Sequence, residues 1–423
     1  MWEKLQRIWS IKDLRLKILF VLGMLVIFRV AAHIPIPGIH TENLRQFLSG
    51  NQILGLLNVF SGGTIENFSL VMLGVAPYIT ASIIFQLLTM VVPQLEELSK
   101  EGEAGQQKIS MYTRITTIPL ALLQGFGLLQ LLRQSQQPIL GDISTFHFIV
   151  ILMSITAGTV FLMWIGELIT EKNIGNGVSL LIFAGIIAGL PTIVRNAVVN
   201  YNPADLYTYL LFVGIAIATI VGVVIISEGQ RNIPVTYAKQ VRGTRSADGA
   251  QSHLPLRVNM AGVIPIIFAI SVVLFPSVIA QFFVARGGSL ALFGQRVIDL
   301  FNNQLFYGIL YFLLVFGFTY FYTSVIFKPE KIAENLQRQG GFIPGIRPGK
   351  QTEDYLNHTM KRLVLPGALF LGLIAILPLL VQVLTNTQSL IIGGTSLLIV
   401  VSVAIETTKQ IEAQLTMHEY DRI

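Results

Sequence analysis

Cysteine is absent from the 423 residues, which removes disulfides and thiolate metal sites without identifying a compartment. Charge is scarce as well: Asp, Glu, Lys and Arg make up 12% of the chain, where a soluble globular protein carries about 25%. Hydrophobic residues reach 53% and mean hydropathy is +0.67, so water cannot be this chain's only solvent. Acidic groups are missing from the centres of the long apolar stretches, since Glu167 and Glu406 fall near stretch ends. An ion-coupled carrier needs carboxylates or histidines at mid-membrane depth, so a secondary transporter of small solutes is only the alternative reading. HExxH, a P-loop and a GxSxG elbow are also missing, and GNGVS at Gly175 to Ser179 is none of them. No enzyme activity and no cofactor or metal is expected, and energy for any transport has to come from a partner or the membrane potential.

What is present is a pattern of long charge-free windows separated by short basic loops. The windows run Asn67 to Leu95, Ile115 to Leu132, Ile143 to Gly166, Asn173 to Val194, Leu206 to Ser227, Val258 to Ala285 and Leu300 to Phe327. Each is about the length of a bilayer-crossing helix, roughly 20 residues. Leu363 to Ile405 is about twice as long and is broken by Thr385-Asn386-Thr387-Gln388-Ser389, so it holds two spans, and Ile18 to Ile36, with Arg29 inside it, makes a tenth. In hydrocarbon every backbone polar group must pair internally, and the windows lack the alternation of barrel strands, so helices are predicted. The basic stretch Met1 to Lys17 leads into a full-length span without a small-residue cleavage site, which argues against a cleavable signal peptide.

Orientation follows from the basic residues. Of the 29 Lys and Arg, 23 lie in the N-tail, the C-tail and one set of alternate connections, five lie in the opposite set, and Arg29 lies within a window. The positive-inside rule places both termini and the basic loops in the cytosol. The net charge of +6 then needs no nucleic-acid explanation, although ribosomal RNA remains a possible partner for a basic loop. Ten spans divide as five plus five, and an odd number per half inverts one half relative to the other; such repeats place a pathway at their interface. The predicted organisation is a cytosolic amphipathic N-tail (1–17), a first five-helix half (18–200), a second half (201–408) with cytosolic loops 228–257 and 328–362, and a cytosolic C-tail (409–423).

Ile53 to Phe60 is apolar but too short to cross, and Ser61-Gly62-Gly63 follows as a flexible breaker. It reads either as a helix buried in the protein on the external side or as an amphipathic turn on the headgroups. Arg29 reads either as a paired functional charge or as a snorkelling one. Ser82 and Gln86, an i,i+4 pair with Thr89 one turn on, read as interhelical hydrogen-bonding groups or as the lining of an opening.

Several strings resemble the SecY family, the channel subunit of the bacterial protein translocase. They are HIPIPG (His33 to Gly38), FSGG (Phe60 to Gly63), PYITASIIFQLL (Pro77 to Leu88), KEGEAGQQKIS (Lys100 to Ser110), IGNGVSLLIFAGIIAGLP (Ile174 to Pro191), HLPLRVNMAGVIP (His253 to Pro265), GFIPGIRPGKQT (Gly341 to Thr352) and GGTSLLIVV (Gly393 to Val401). The similarity runs through the chain in order. It implies an all-α polytopic membrane protein whose ten transmembrane helices form two inverted five-helix halves, a clamshell around an hourglass pore, with a short re-entrant plug helix. The implied function is a channel that passes unfolded secretory polypeptides and releases hydrophobic segments laterally into lipid.

By the same resemblance the pore ring falls on Val75, Ile79, Val178, Ile182, Ile267 and Ile399. Val75/Ile79 and Val178/Ile182 are also i,i+4 pairs that share a helical face, and a dewetted aliphatic constriction excludes ions without gripping a polar chain. The plug lies within about 56–67, represented by Leu56, Leu57, Asn58, Val59, Phe60, Ser61, Gly62, Gly63, Thr64 and Ile65. A lateral gate between spans two and three and spans seven and eight carries Ser82, Gln86, Thr89 and Asn259. Lys239, Arg242, Arg245 and Arg347 become docking residues, where a solvated charge is the other reading of Arg347. Implied partners are SecE and SecG in a heterotrimer, the motor ATPase SecA, the ribosome, signal sequences, preproteins and membrane lipids, and the implied location is the bacterial plasma membrane.

Overall fold

A computed structural model gives the structure of the protein and describes residues 2–37, 41–50, 58, 61–133, 139, 144–199, 206–237, 241–242, 245–246, 251–286, 289–385 and 394–420. Among these residues each apolar window contains a helix: α2 (Lys12–Ala31), α4 (Ala76–Val91), α6 (Glu103–Arg133), α7 (Thr145–Glu171), α8 (Gly177–Val199), α9 (Leu206–Glu228), α10 (Ile264–Arg286), α12 (Gln304–Ile326), α14 (Lys350–Thr385) and α15 (Gly394–Tyr420). Shorter helices lie between them: α1 (Trp2–Ser10), α3 (Thr41–Gly50), α5 (Pro93–Lys100), α11 (Ser289–Asn302) and α13 (Pro329–Arg338). Five helical stretches of the described residues are long and apolar enough to cross a membrane, and the bent pair α4 and α5 adds a sixth. The fold is that of an all-α polytopic membrane protein.

The helix ends follow local chemistry. Pro93 removes a backbone donor and forces Val92 extended (φ −100°, ψ 112°), so α4 stops there and α5 leaves at 100°. Ser144 caps α7 by accepting the His147 amide, and Asn303 caps α12 by accepting the Leu305 and Phe306 amides. Thr170 Oγ1 accepts the Gly177 amide at 2.9 Å and Asn176 Oδ1 accepts the Ser179 amide at 3.1 Å, which satisfies orphan donors at the start of α8.

The long helices close into a ring. Neighbours pack in the order α4, α6, α7, α8, α15, α14, α12, α10, and α10 returns to both α6 and α4; α2 lies against α7 and α8, and α9 against α15. The predicted halves therefore meet along two seams, α8 with α15 and α4/α6 with α10. The central apolar cluster inside the ring draws on α2, α4, α7, α8, α10, α12, α14 and α15.

Four features depart from the sequence expectation. Span one begins at Lys12 and ends at Ala31, and Ile34 to Ile36 is extended instead, because Pro35 and Pro37 cannot continue a helix. That stretch pairs with the next segment: the Ile36 amide donates to the Phe68 carbonyl at 2.9 Å, and the Leu70 amide to the Ile34 carbonyl at 3.0 Å. Second, Asn67 to Val75 is a chain of turns, and α4 starts only at Ala76. Its turns include Phe68 at φ 44° and Gly74 at φ 58°, and the fully buried Phe68 ring holds a conformation that a non-glycine residue rarely adopts. Third, helix continues through loops and tails: α14 starts at Lys350 within the predicted loop 328–362, and α15 continues to Tyr420 past the predicted boundary at 409. Fourth, the loop 228–257 is β-structured. Strands β1 (Gln230–Tyr237) and β4 (Gln251–Arg257) pair antiparallel with Gln230 opposite Arg257, and β5 (Gly341–Phe342) adds to the other edge of β1. Ile233, Val235 and Leu256 face a separate core with Leu336, Ile343, Leu356 and Met360, so the sheet, α13 and the start of α14 form one packed appendage at the basic end.

Where α7 and α8 meet, a Cβ built on Gly177 overlaps the backbone carbonyl of Gly166. Gly177→Ala should therefore lower stability by about 1–3 kcal/mol through overpacking. Gly23 in α2 has open space around its Cβ position, so Gly23→Ala should be neutral or slightly stabilising. Thermal unfolding of the two variants in detergent checks the contrast.

Candidate functional site

The six aliphatic residues assigned to the ring come from α4, α8, α10 and α15 and belong to or pack against one large apolar cluster. Val75, Ile79, Ile182, Ile267 and Ile399 are buried members of the central cluster, and the half-buried Val178 packs against it. Val75 is the N-cap of α4 and lies just outside the helix, where its carbonyl accepts the Ile79 amide at 3.0 Å. The shared face expected of Val75 and Ile79 survives because the cap residue already stands in register with the first turn.

A cavity of about 380 Å³ opens on one side of the ring. Ile79, Val178 and Ile267 line it together with Ser82 and Gln86 from α4, and with Phe268 and Tyr322, whose rings meet edge to face across α10 and α12. The remaining walls are the last turn of α7, the start of α8 and the early turns of α6, all at the basic end of the bundle. Arg114 of α6 and Glu167 of α7 face each other across this wall, with Nε 2.6 Å from Oε1.

Farther along α8, past Val178 and Ile182, the glycine breaker packs against the helix. On α8, Val178, Ile182 and Gly185 stand at i, i+4 and i+7, so all three share a face. Gly62 lies directly on Gly185: a Cβ added to Gly185 would come within 2.7 Å of the Gly62 Cα. The φ of +78° at Gly62 is a second reason for glycine there. Hydrogen bonds close the segment on itself. Ser61 Oγ donates to the Asn58 carbonyl at 2.9 Å, Thr64 Oγ1 reaches the carbonyls of Ser61 and Met72, and the Glu66 amide donates to Asn58 Oδ1 at 3.0 Å. Arg29 is paired here, its Nη1 donating to the Gly62 carbonyl at 3.0 Å. Of the predicted plug, Leu56, Leu57, Val59 and Phe60 lie outside the described residues; Asn58 and Ser61 are helical, and Gly62 to Ile65 form turns and a bend.

The gate-assigned residues are less uniform. Gln86 Nε2 reaches Ser82 Oγ at 3.4 Å and Thr89 Oγ1 donates to the Gln86 carbonyl at 2.7 Å, so these bonds run along α4 and do not cross between helices. Ser82 and Gln86 line the cavity. Asn259 sits before α10 and donates to the Gly262 carbonyl at 3.3 Å, while its Oδ1, like Gln86 Oε1, has no hydrogen-bond partner among the described residues. Of the basic residues, Lys239 lies outside the described residues, and the backbones of Arg242 and Arg245 pair across the short strands β2 (Val241–Arg242) and β3 (Arg245–Ser246). Arg347 is exposed on a loop anchored by the buried Ile343 and by Thr352 Oγ1, which donates to the Arg347 carbonyl at 2.9 Å. Sequence reasoning missed Gly185, whose i+7 spacing from Val178 was available. It also missed the Arg114–Glu167 pair, for which residues 53 apart carry no local signal.

A family model described as SecY matches residues 69–408. The chain is 43% identical to a protein translocase subunit SecY of Streptomyces galbus over 98% of both chains. It is 44% identical to the same-named subunit of Halalkalibacterium halodurans over 99% of both. Among solved structures it resembles a protein-conducting channel with TM-score 0.63 at 16% identity, covering 93% of this chain and 91% of the other. It also resembles the idle yeast Ssh1 complex bound to the yeast ribosome, with TM-score 0.61 at 13% identity, covering 92% and 88%.

Proposed function

This chain belongs to the SecY family, and from that premise we infer that it is a protein-conducting channel, a multi-pass membrane protein that passes unfolded polypeptides across the bilayer and releases hydrophobic segments into it. One observation carries the reading: aliphatic side chains from α4, α8, α10 and α15 meet in a buried cluster, with a cavity on one side and a glycine breaker farther along α8. Such a constriction stays dry when closed and makes no strong contact with a varied polar chain when open.

Within this reading the halves are 18–200 and 201–408, the ten helices all cross, and the segment around 56–67 is the plug. The lateral gate lies between α4/α6 and α10/α12, with Ser82, Gln86, Thr89 and Asn259 beside it. Both termini and the basic loops face the cytosol of a bacterial plasma membrane, in line with the distribution of Lys and Arg. SecE and SecG complete the heterotrimer, and SecA and the ribosome dock on the basic appendage through Lys239, Arg242, Arg245 and Arg347. Reconstitution with SecE, SecA and ATP tests the function: a preprotein should become protected from protease in an ATP-dependent way. Absence of protection with SecA, together with failure to insert a ribosome-bound nascent chain, would overturn it.

Ile399 is fully buried in the ring. Ile399→Asn places an amide there at a cost of about 1–3 kcal/mol to the closed state, which shifts the equilibrium toward opening by roughly fivefold to a hundredfold. Export of a reporter with a defective signal sequence should rise, whereas Ala404→Asn on the exposed side of α15 should not produce this gain. Equal export by the two variants removes Ile399 from the ring.

Arg347→Glu should leave the fold intact, because the side chain is exposed and the loop is held by its backbone. Charge reversal at a docking surface costs through repulsion and lost charge-assisted bonds, so transport at limiting SecA should fall about tenfold or more, a loss of ~1.4 kcal/mol in coupling. Transport at the parental rate would sink the docking role.

A further inference from the structure

We propose that Arg29 is the latch of the plug: its guanidinium holds the Gly62 carbonyl and thereby keeps the breaker seated on α8, which sets how readily the channel opens. This deepens the reading of the 56–67 segment as a plug and rests on it.

Arg29 lies in the last turn of α2, and its side chain turns inward to the breaker, Nη1 donating to the Gly62 carbonyl at 3.0 Å. Gly62 touches two elements at once. A Cβ there would stand 2.5 Å from the Gly185 Cα and 3.4 Å from Arg29 Nη1, so glycine is what lets α8 and the arginine reach the same peptide. Because α2 also packs on both α7 and α8, the latch ties the breaker to the wall that carries Val178 and Ile182. A second tether exists, Arg45 Nε to Glu66 Oε1 at 3.1 Å, but its side chains are 51% and 42% exposed. Solvent and salt screen such a pair. Arg29 is half-buried against a neutral carbonyl, where a charge-assisted bond counts for more. Unseating the breaker strips this half-buried guanidinium of its carbonyl acceptor, so the latch resists opening and a signal sequence has to supply the difference.

The chain has no cysteine, so Ser61→Cys introduces a single thiol, at a residue that is 8% exposed when the breaker is seated. In the assembled translocase at rest in vesicles, a membrane-impermeant maleimide applied from the external face reads how often that position is uncovered. Adding Arg29→Met should raise the labelling rate about tenfold, the factor that ~1.4 kcal/mol gives, together with resting ion conductance. A preprotein with an intact signal should still be exported. Arg29→Lys keeps the charge on a shorter, single-point donor and should fall between. Where Arg29→Met accumulates poorly, the labelling ratio of Arg29→Lys to parent decides the matter. Parental labelling and conductance in these variants would overturn the latch. Deletion of residues 56–66 separates the two ideas: if the deletion does not leak, plug and latch fall together. If it leaks while the Arg29 variants stay tight, the latch alone falls.

Discussion

The structure depends on apolar burial that joins distant parts of the chain: Val75, Ile79, Ile182, Ile267 and Ile399 lie in one central cluster, with Val178 packed against it. Burying apolar surface is worth about 25 cal/mol per Å² and has no preferred geometry, so a contact made this way parts and re-forms without a penalty for misalignment. In the proposed channel, hydroxyls or amides in the place of Val75, Ile79, Val178, Ile182, Ile267 and Ile399 would hold water at rest and would grip the backbone of a passing polypeptide. The closed circuit of helices serves that requirement, since it brings α15 from the end of the chain against α8 near its middle.

The polar interactions that fix the resting geometry stand away from the ring. Asn58, Ser61, Thr64 and Glu66 bond within the breaker, and the paired strip of Ile34 to Ile36 with Phe68 to Leu70 stitches the same segment to the end of α2. Phe68, Ile65 and Met72 anchor it in a second apolar cluster with Leu128, Leu129 and Ile155 of α6 and α7. Shape is therefore determined by directional bonds and by a peripheral core, while the surface that opens is left to nondirectional contact.

The helices were legible in the sequence because the bilayer imposes a length and a composition that charge-free windows report directly. Boundaries were less so. Where prolines interrupt, as at Pro35 and Pro93, the window overstates the helix, and where polar residues continue it, as at Lys350 onward and past Lys409, the window understates it. The strands β1 and β4 escaped notice although Ile233 and Val235 alternate with exposed neighbours, because their partner core arrives from residues about 100 positions later. The ring positions were named by resemblance; composition alone cannot separate a pore-facing isoleucine from a lipid-facing one. The Arg29 to Gly62 bond and the Arg114 to Glu167 pair depend on tertiary approach, so the residues were visible and the pairing was not.

The two seams differ in chemistry, and that difference favours one of them for opening. Between α15 and the turn that joins α7 to α8, Gln414 Nε2 donates to the Asn173 carbonyl at 2.6 Å and the Lys172 carbonyl at 3.4 Å. Such bonds weaken steeply with distance and angle, so this seam resists separation while tolerating a small rotation about it. At the other seam Ile79 faces Ile264 and Ile267 across the cavity. The apolar area lost there is replaceable, because a hydrophobic segment or lipid covers the same surface. In the proposed channel, a seam held by hydrogen bonds to backbone carbonyls suits the pivot, and a seam of aliphatic contacts suits the exit.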